Sequence, residues 1–317
     1  MIKSKKDKLV SHPSKQFGVY QKVSTADAGW THLNFEARLM RKDEVWQGHT
    51  GENEYGIILL SGNYSITTDK GDWKTINGRK NVFSGIAHTL YLPKHSSFSL
   101  IAESDVLDIA AGWCLATEDR PAKFKTPEEA AIEIRGGDNA TRQINSLIEP
   151  GFGSSKIVVV EVYTPSGNWS SFPAHKHDER KFDSKGNLVE ACLEEIYFYK
   201  IDKDEGYAIQ QVYTSDGELN ELMQVKTNDL VMVPKGYHPV VAGHGYNCYY
   251  LNFLAGSDQA LNNTTDPQHE WIYNSWKGRD PRIPMVTAEM NNEWQVKSEN
   301  LTSHVSLLER MRHLKLK

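Results

Sequence analysis

The stretch SSFPAHKHDE holds two histidines, His175 and His177, separated by one residue. If it runs into a strand, side-chain alternation puts both imidazoles on one face, where two nitrogens can share a metal ion. Among 12 histidines, a pair of surface histidines is the plainer reading. Two later segments bear on the choice. In LEEIYFYKI, Glu195, Tyr197 and Tyr199 fall on one strand face, although a half-buried strand with a rim glutamate would read the same way. In DLVMVPKGYHPV, Gly236 permits a tight return that aims His238 inward; the alternative is a turn histidine bonded to backbone. Together, His175, His177, Glu195 and His238 supply three imidazoles and one carboxylate. That set suits one divalent ion (Zn²⁺, Mn²⁺ or Fe²⁺) and leaves coordination positions for substrate oxygen.

The elements that must position these residues read as strands. YGIILLSGNYSITTD, HTLYLP, FSLIAE, VLDIAAGWCLA, KIVVVEVYT, EIYFYKI, YAIQQVYT, DLVMVP and NCYYLNFLAG are short Val-, Ile- and Tyr-rich runs bounded by turn residues. Helical periodicity is confined to PEEAAIEI (127–134), with Thr126 as N-cap, and to the tail at 301–316. The fold class is therefore all-β.

The strands also repeat. LYLPKHSSFSL (90–100) aligns without gaps with VMVPKGYHPVV (231–241), so Pro93 matches Pro234 and Ser97 stands where His238 stands. EYGIILL is set against EIYFYKI, which places Gln47, His49 and Glu54 at the positions of His175, His177 and Glu195. Two copies of one barrel module follow: 1–145 as a degenerate first domain, 146–285 as the metal-binding domain, and 286–317 as a partly helical tail. With two of four ligand positions replaced, the first copy reads as a structural module or dimer surface. In the second, ERKFDSKGNLVEACLE separates His177 from Glu195 and reads as a polar lid with DSKGN at its tip. Glu195 is chosen over Glu190 and Glu194 because its parity matches the aromatics that follow.

Composition narrows the partners. The chain has 317 residues, 39% hydrophobic and 24% charged, with net charge −5. Its basic residues are scattered, which disfavours nucleic acid as a partner. No apolar run approaches a membrane span. MIKSKKDKLVSHPSK lacks a signal peptide's apolar core, and Cys114, Cys192 and Cys248 form no paired framework. These features lead us to expect a soluble cytoplasmic protein, a homo-oligomer, with a small-molecule partner.

The order H-x-H, Glu, P-x-G-x-x-H resembles the cupin signature, which implies two tandem jelly-roll barrels, a bicupin. More specifically, EIRGGDNATRQIN, VVEVYTPSGNWSSFPAHKHDE, LEEIYFYKI, VPKGYHPV, YYLNFLAG and DPQHEWI are similar to the 5-deoxy-glucuronate isomerase family of myo-inositol catabolism. The resemblance spans roughly residues 15–285. It implies conversion of 5-deoxy-D-glucuronate to 2-deoxy-5-keto-D-gluconate, an aldose–ketose interconversion of a sugar acid. The related 4-deoxy-5-keto uronate isomerase family shares a three-His, one-Glu site, which supports Glu195. Candidates for moving the proton are Glu194, Tyr199 and Tyr250, from strands near the site, although each taken singly reads first as structural. Arg142 is the candidate for the substrate carboxylate, with a salt bridge between the halves as its alternative. Lys176 points outside by parity. An Fe²⁺ dioxygenase with the same ligands, or a non-catalytic sugar-binding cupin, are the competing readings. The former would consume O₂; against the latter, no effector segment accompanies the barrels.

Overall fold

From Ile57 to Leu60, and again from Ile196 to Tyr199, every consecutive residue is buried. A strand buried on both faces lies between two apolar layers, not between core and water. Each run is an inner strand of a large antiparallel sheet in the computed structural model, which describes residues 9–14 and 17–292. In the first half a six-stranded sheet runs in the order Lys123–Lys125, Thr89–Leu92, Asn53–Ser61, Val106–Leu115, Asn34–Arg41, Gly18–Val23. It faces a four-stranded sheet that includes Val45–His49 and Ser97–Ala102. In the second half an eight-stranded sheet centres on Leu188–Ile201, Cys248–Gly256 and Val158–Thr164, opposite a four-stranded sheet that includes Trp169–Ser170 and Val240–Ala242.

Strand parity assigns the side chains to three cores. Ile57, Leu59 and Ile109 fill the first barrel, and Tyr197, Tyr199 and Val231 fill the second. Ile58 and Leu60 point the other way and meet Ile196, Phe198 and Phe253, so the backs of the two large sheets form one apolar layer. A Cβ on Gly112 would come within 2.3 Å of the Phe253 ring, so this close approach requires glycine. The layer also encloses the Arg79–Glu161 ion pair at 2.8 Å, with Tyr163 and two backbone carbonyls taking further guanidinium donors. A buried charge pair is tolerated when its remaining hydrogen-bonding capacity is met in this way.

The structure revises the repeat alignment. Tyr55 pairs with Leu92 and Glu195 with Val233, the residues before Pro93 and Pro234. Tyr55, not Glu54, therefore stands in the place of Glu195, and Glu54 is the counterpart of Glu194. Likewise Trp46 pairs with Leu100 and Trp169 with Val241, so Gln47 and His49 are not the counterparts of His175 and His177. The extra residues in the second half shift a register counted along the chain, whereas the proline-anchored pairing is fixed across the sheet.

Three further expectations change. PEEAAIEI makes only the 3-10 turn Pro127–Glu129 before Ala131–Arg135 becomes a strand paired with Arg142–Ile148. The ladder hydrogen bonds override local helical pattern. Both strands belong to the second half's sheet, as does Val10–Ser11, so a boundary at 145/146 would cut through a strand of that sheet. The polar insertion, expected as a lid, is a hairpin with DSKGN at its tip. Asp178–Phe182 pairs with the start of Leu188–Ile201, and the Asp183 carboxylate accepts from the Lys185 and Asn187 amides in the turn. The tail at 301–316 lies outside the described residues. Among the described residues no helix is long and apolar enough to cross a membrane.

Candidate metal centre and active site

The second barrel collects its chemistry at one mouth. His177 Nε2 lies 2.9 Å and His238 Nε2 3.2 Å from Glu195 Oε2. One ligand atom from each of these three buried residues falls within 4.8 Å of the others. The backbone sets the imidazoles: His177 Nδ1 donates to Leu193 O at 3.2 Å and His238 Nδ1 to Gly236 O at 2.8 Å. Both rings thus turn Nε2 towards the carboxylate, the arrangement by which an outer hydrogen bond fixes a ligand's tautomer and direction. His238 Nε2 is buried with no aligned hydrogen-bond partner. A divalent cation fits this donor set.

Local sequence explains the convergence. Gly236, in the Pro-Lys-Gly turn, has φ +89, and a Cβ there would meet Tyr213 O at 2.4 Å. Its amide donates to Asp178 Oδ2 at 2.7 Å, tying the turn that carries His238 to the segment that carries His177. Lys176 faces the opposite way and pairs with Asp178 and Glu190, as parity requires.

Electrostatics follow from burial and proximity. Burial pushes the Glu195 carboxyl up, but the hydrogen bond from His177 and the close His238 ring outweigh it and hold the pKa at about 2. Burial depresses His177, and the Glu195 contact more than reverses that. His175 is pushed well down by burial and by the neighbouring rings. Its ring centroid is 5.0 Å from that of His238 and 6.3 Å from that of His177, against 4.9 Å between the His177 and His238 rings, so it stands directly beside the three-residue cluster.

Above the cluster is a narrow cavity of about 70 Å³. Arg142 lines it; only 8% of its surface is exposed, and it forms no ion pair among the described residues. Its Nη1 donates to Ala140 O and Phe172 O at 3.2 and 2.9 Å. Gly136 makes room for it, since a Cβ there would lie 2.8 Å from that Nη1. The alternative of a salt bridge between the halves is not what Arg142 makes. On the cavity's other side Ser171 Oγ stands 2.9 Å from Tyr197 OH and 3.4 Å from Tyr250 OH.

The three proton-transfer candidates separate. Tyr250 lines the cavity. Tyr199 sits deeper in the barrel core and donates to Gln210 Oε1 at 2.7 Å, outside the cavity wall. Glu194 faces the opposite side of its strand, where it accepts from the amides of Thr31, His32 and Leu33. Adjacent residues on a strand point to opposite faces, so Glu194 cannot share the site of Glu195. Ser171, Tyr197 and Arg135 were not picked out for the site from sequence. Tyr197 was legible from its parity with Glu195, whereas Ser171 occupies an irregular segment at φ +49 that no pattern marks.

Known proteins resemble this chain along most of its length. Residues 8–272 match the KduI/IolB family model. The chain is 36% identical over 268 residues to a 5-deoxy-glucuronate isomerase of Geobacillus thermodenitrificans, covering 84% of this chain and 96% of that protein. It is 32% identical over 252 residues to the Bacillus subtilis (strain 168) protein of the same name, covering 79% and 91%. The crystal structure of an IolB-like protein from Salmonella typhimurium LT2 superposes with TM-score 0.79 at 33% identity, covering 83% and 98%. A Bacillus subtilis oxalate decarboxylase variant, at 12% identity, TM-score 0.57 and coverage of 81% and 79%, shares the fold.

Proposed function

Because this chain belongs to the KduI/IolB family, we propose that it converts 5-deoxy-D-glucuronate to 2-deoxy-5-keto-D-gluconate, using one divalent metal held by His177, Glu195 and His238 with His175 alongside. The observation that carries this reading is one cavity lined by His177 and Glu195 of the three-donor cluster and by the Arg142 guanidinium, which has no acidic partner among the described residues. Zn²⁺ or Mn²⁺ suits the donors best, and Fe²⁺ is compatible with them. Once bound, the cation would supply Lewis acidity towards a carbonyl and its neighbouring hydroxyl.

The remaining work falls to the chain's own groups. Arg142 receives the sugar's carboxylate, since a buried guanidinium without an acidic partner is matched by an anionic ligand. That contact fixes which end of the open-chain sugar meets the histidines. Burial raises Tyr250 to about 12, so its phenol keeps its proton at neutral pH and donates a hydrogen bond to a substrate oxygen. Ser171 joins Tyr250 to Tyr197, which gives that proton a path along the wall of hydroxyls. Val160, Val162 and Leu254 line the apolar side and limit water around the reacting carbons. A cytoplasmic location and a homo-oligomeric state, checked by light scattering, complete the proposal.

The deciding experiment is turnover of 5-deoxy-D-glucuronate under anaerobic conditions, with metal analysis of the same preparation. Formation of the ketose without O₂, with one metal per chain, supports the reading. Dependence on O₂ would instead indicate a dioxygenase, and failure to act on the sugar acid with metal bound would refute the assignment.

A further inference from the structure

The mouth of the first barrel, equivalent to the metal site of the second, is also a cavity, of about 160 Å³. Its wall carries Glu36 and Arg38 where the second barrel is apolar, with the exposed Lys22 at the rim. Through the sheet registers, Glu36 and Arg38 occupy the positions of Val160 and Val162. They point inward, because Phe35 and Ala37 on the same strand face the layer between the barrels. Their side chains are only 12% and 23% exposed. Arg38 Nη2 donates to Glu36 Oε1 at 2.9 Å, while Arg38 Nε is buried without a partner among the described residues. An inward ion pair with a free N–H is costly in a barrel that only needs filling, unless something meets it.

Aromatic rings complete the wall. Tyr55, in the place of Glu195, stacks on Trp113 at 5.1 Å and 7°. Trp46 lies under the Arg38 guanidinium at 4.8 Å and packs edge-on against Phe98. His49 is the one metal-type nitrogen ligand in the wall, so this is not a second metal site. We propose that the first barrel's mouth binds a neutral sugar or cyclic polyol, with vicinal hydroxyls bridging Glu36 and Arg38 and the carbon face resting on the Trp46 and Trp113 rings. A hydroxyl both donates and accepts, so one diol donates to the Glu36 carboxylate and accepts from Arg38 Nε. The volume admits one six-membered ring, since a cavity of roughly 150 Å³ accommodates benzene.

The test uses the full chain with His177→Ala, so that binding at the metal cavity is impaired, and EDTA-treated parent protein as a second preparation. D-glucose and an inositol are titrated while tryptophan fluorescence and calorimetric heat are followed. The expected result is saturable millimolar binding of the neutral probes in both preparations, and at least about tenfold loss on Glu36→Gln. Glu36→Gln in an otherwise native chain should leave isomerase turnover unchanged; circular dichroism confirms its fold, and Trp46→Phe is the second variant if it fails. Absence of saturable binding by every neutral probe overturns the proposal. So does binding that ignores both substitutions, or that disappears with His177→Ala and EDTA.

Discussion

Glu54 and Glu194 are counterparts in the two halves, and each holds the other half's backbone. Glu54 accepts from the amides of Ser155, Lys156 and Ile157 at 2.6–2.7 Å, and Glu194 from those of Thr31, His32 and Leu33 at 2.5–2.9 Å. Three consecutive N–H groups on one carboxylate form a charge-assisted clasp, made twice across the layer between the barrels.

Glu194 and Glu195 should therefore fail in different ways. Glu194→Ala strands three backbone donors and should destabilise the chain by about 1–3 kcal/mol, with metal content preserved. Glu195→Gln should keep the clasp and lose metal affinity. Thermal unfolding paired with metal analysis separates the two; metal loss on Glu194→Ala would contradict the assignment.

His238→Ala removes one of the three clustered donors and should abolish metal retention and turnover while the first barrel's core stays folded. Ser97→Ala and His49→Ala should leave the metal-to-protein ratio at that of the parent. Loss of metal from either would move a binding site into the first barrel.

Arg142→Met should lower kcat/KM about 10–100-fold, mainly through KM, because a charged hydrogen bond to substrate is worth about 1.5–3 kcal/mol. Steady-state kinetics checks this. A change confined to kcat would place Arg142 in the chemical step instead.

His88 provides a pH dependence away from the metal centre. Burial holds its pKa down at about 4, with Glu128 opposing and Arg79 reinforcing, and its Nδ1 lacks a partner. The unfolded chain takes up this proton near pH 6.5 and the folded chain only near 4. Stability is thus full above about pH 6.5 and falls as pH drops towards 4, by up to about 3 kcal/mol. Denaturant unfolding at several pH values should show that slope, and His88→Gln should flatten it.

Strand alternation, turn glycines and residue chemistry are local properties, and they carried the all-β architecture, the tandem repeat, the inward Glu195 and the outward Lys176 without any structure. They could not carry pairing across the sheets. Glu195 to Val233 spans one residue more than Tyr55 to Leu92, so a count along the chain matched Glu54 to the wrong glutamate, and it matched His49 to a ligand that it does not replace. PEEAAIEI has a helix's spacing, but its neighbour in the sheet is Arg142–Ile148, and ladder hydrogen bonds outweigh a short segment's propensity. Glu194 was a candidate for moving the proton from a strand near the site; only the fold brings Thr31–Leu33 to its oxygens. Which groups share a cavity depends on contacts between residues distant in the chain, and those distances exist only once the two sheets have packed.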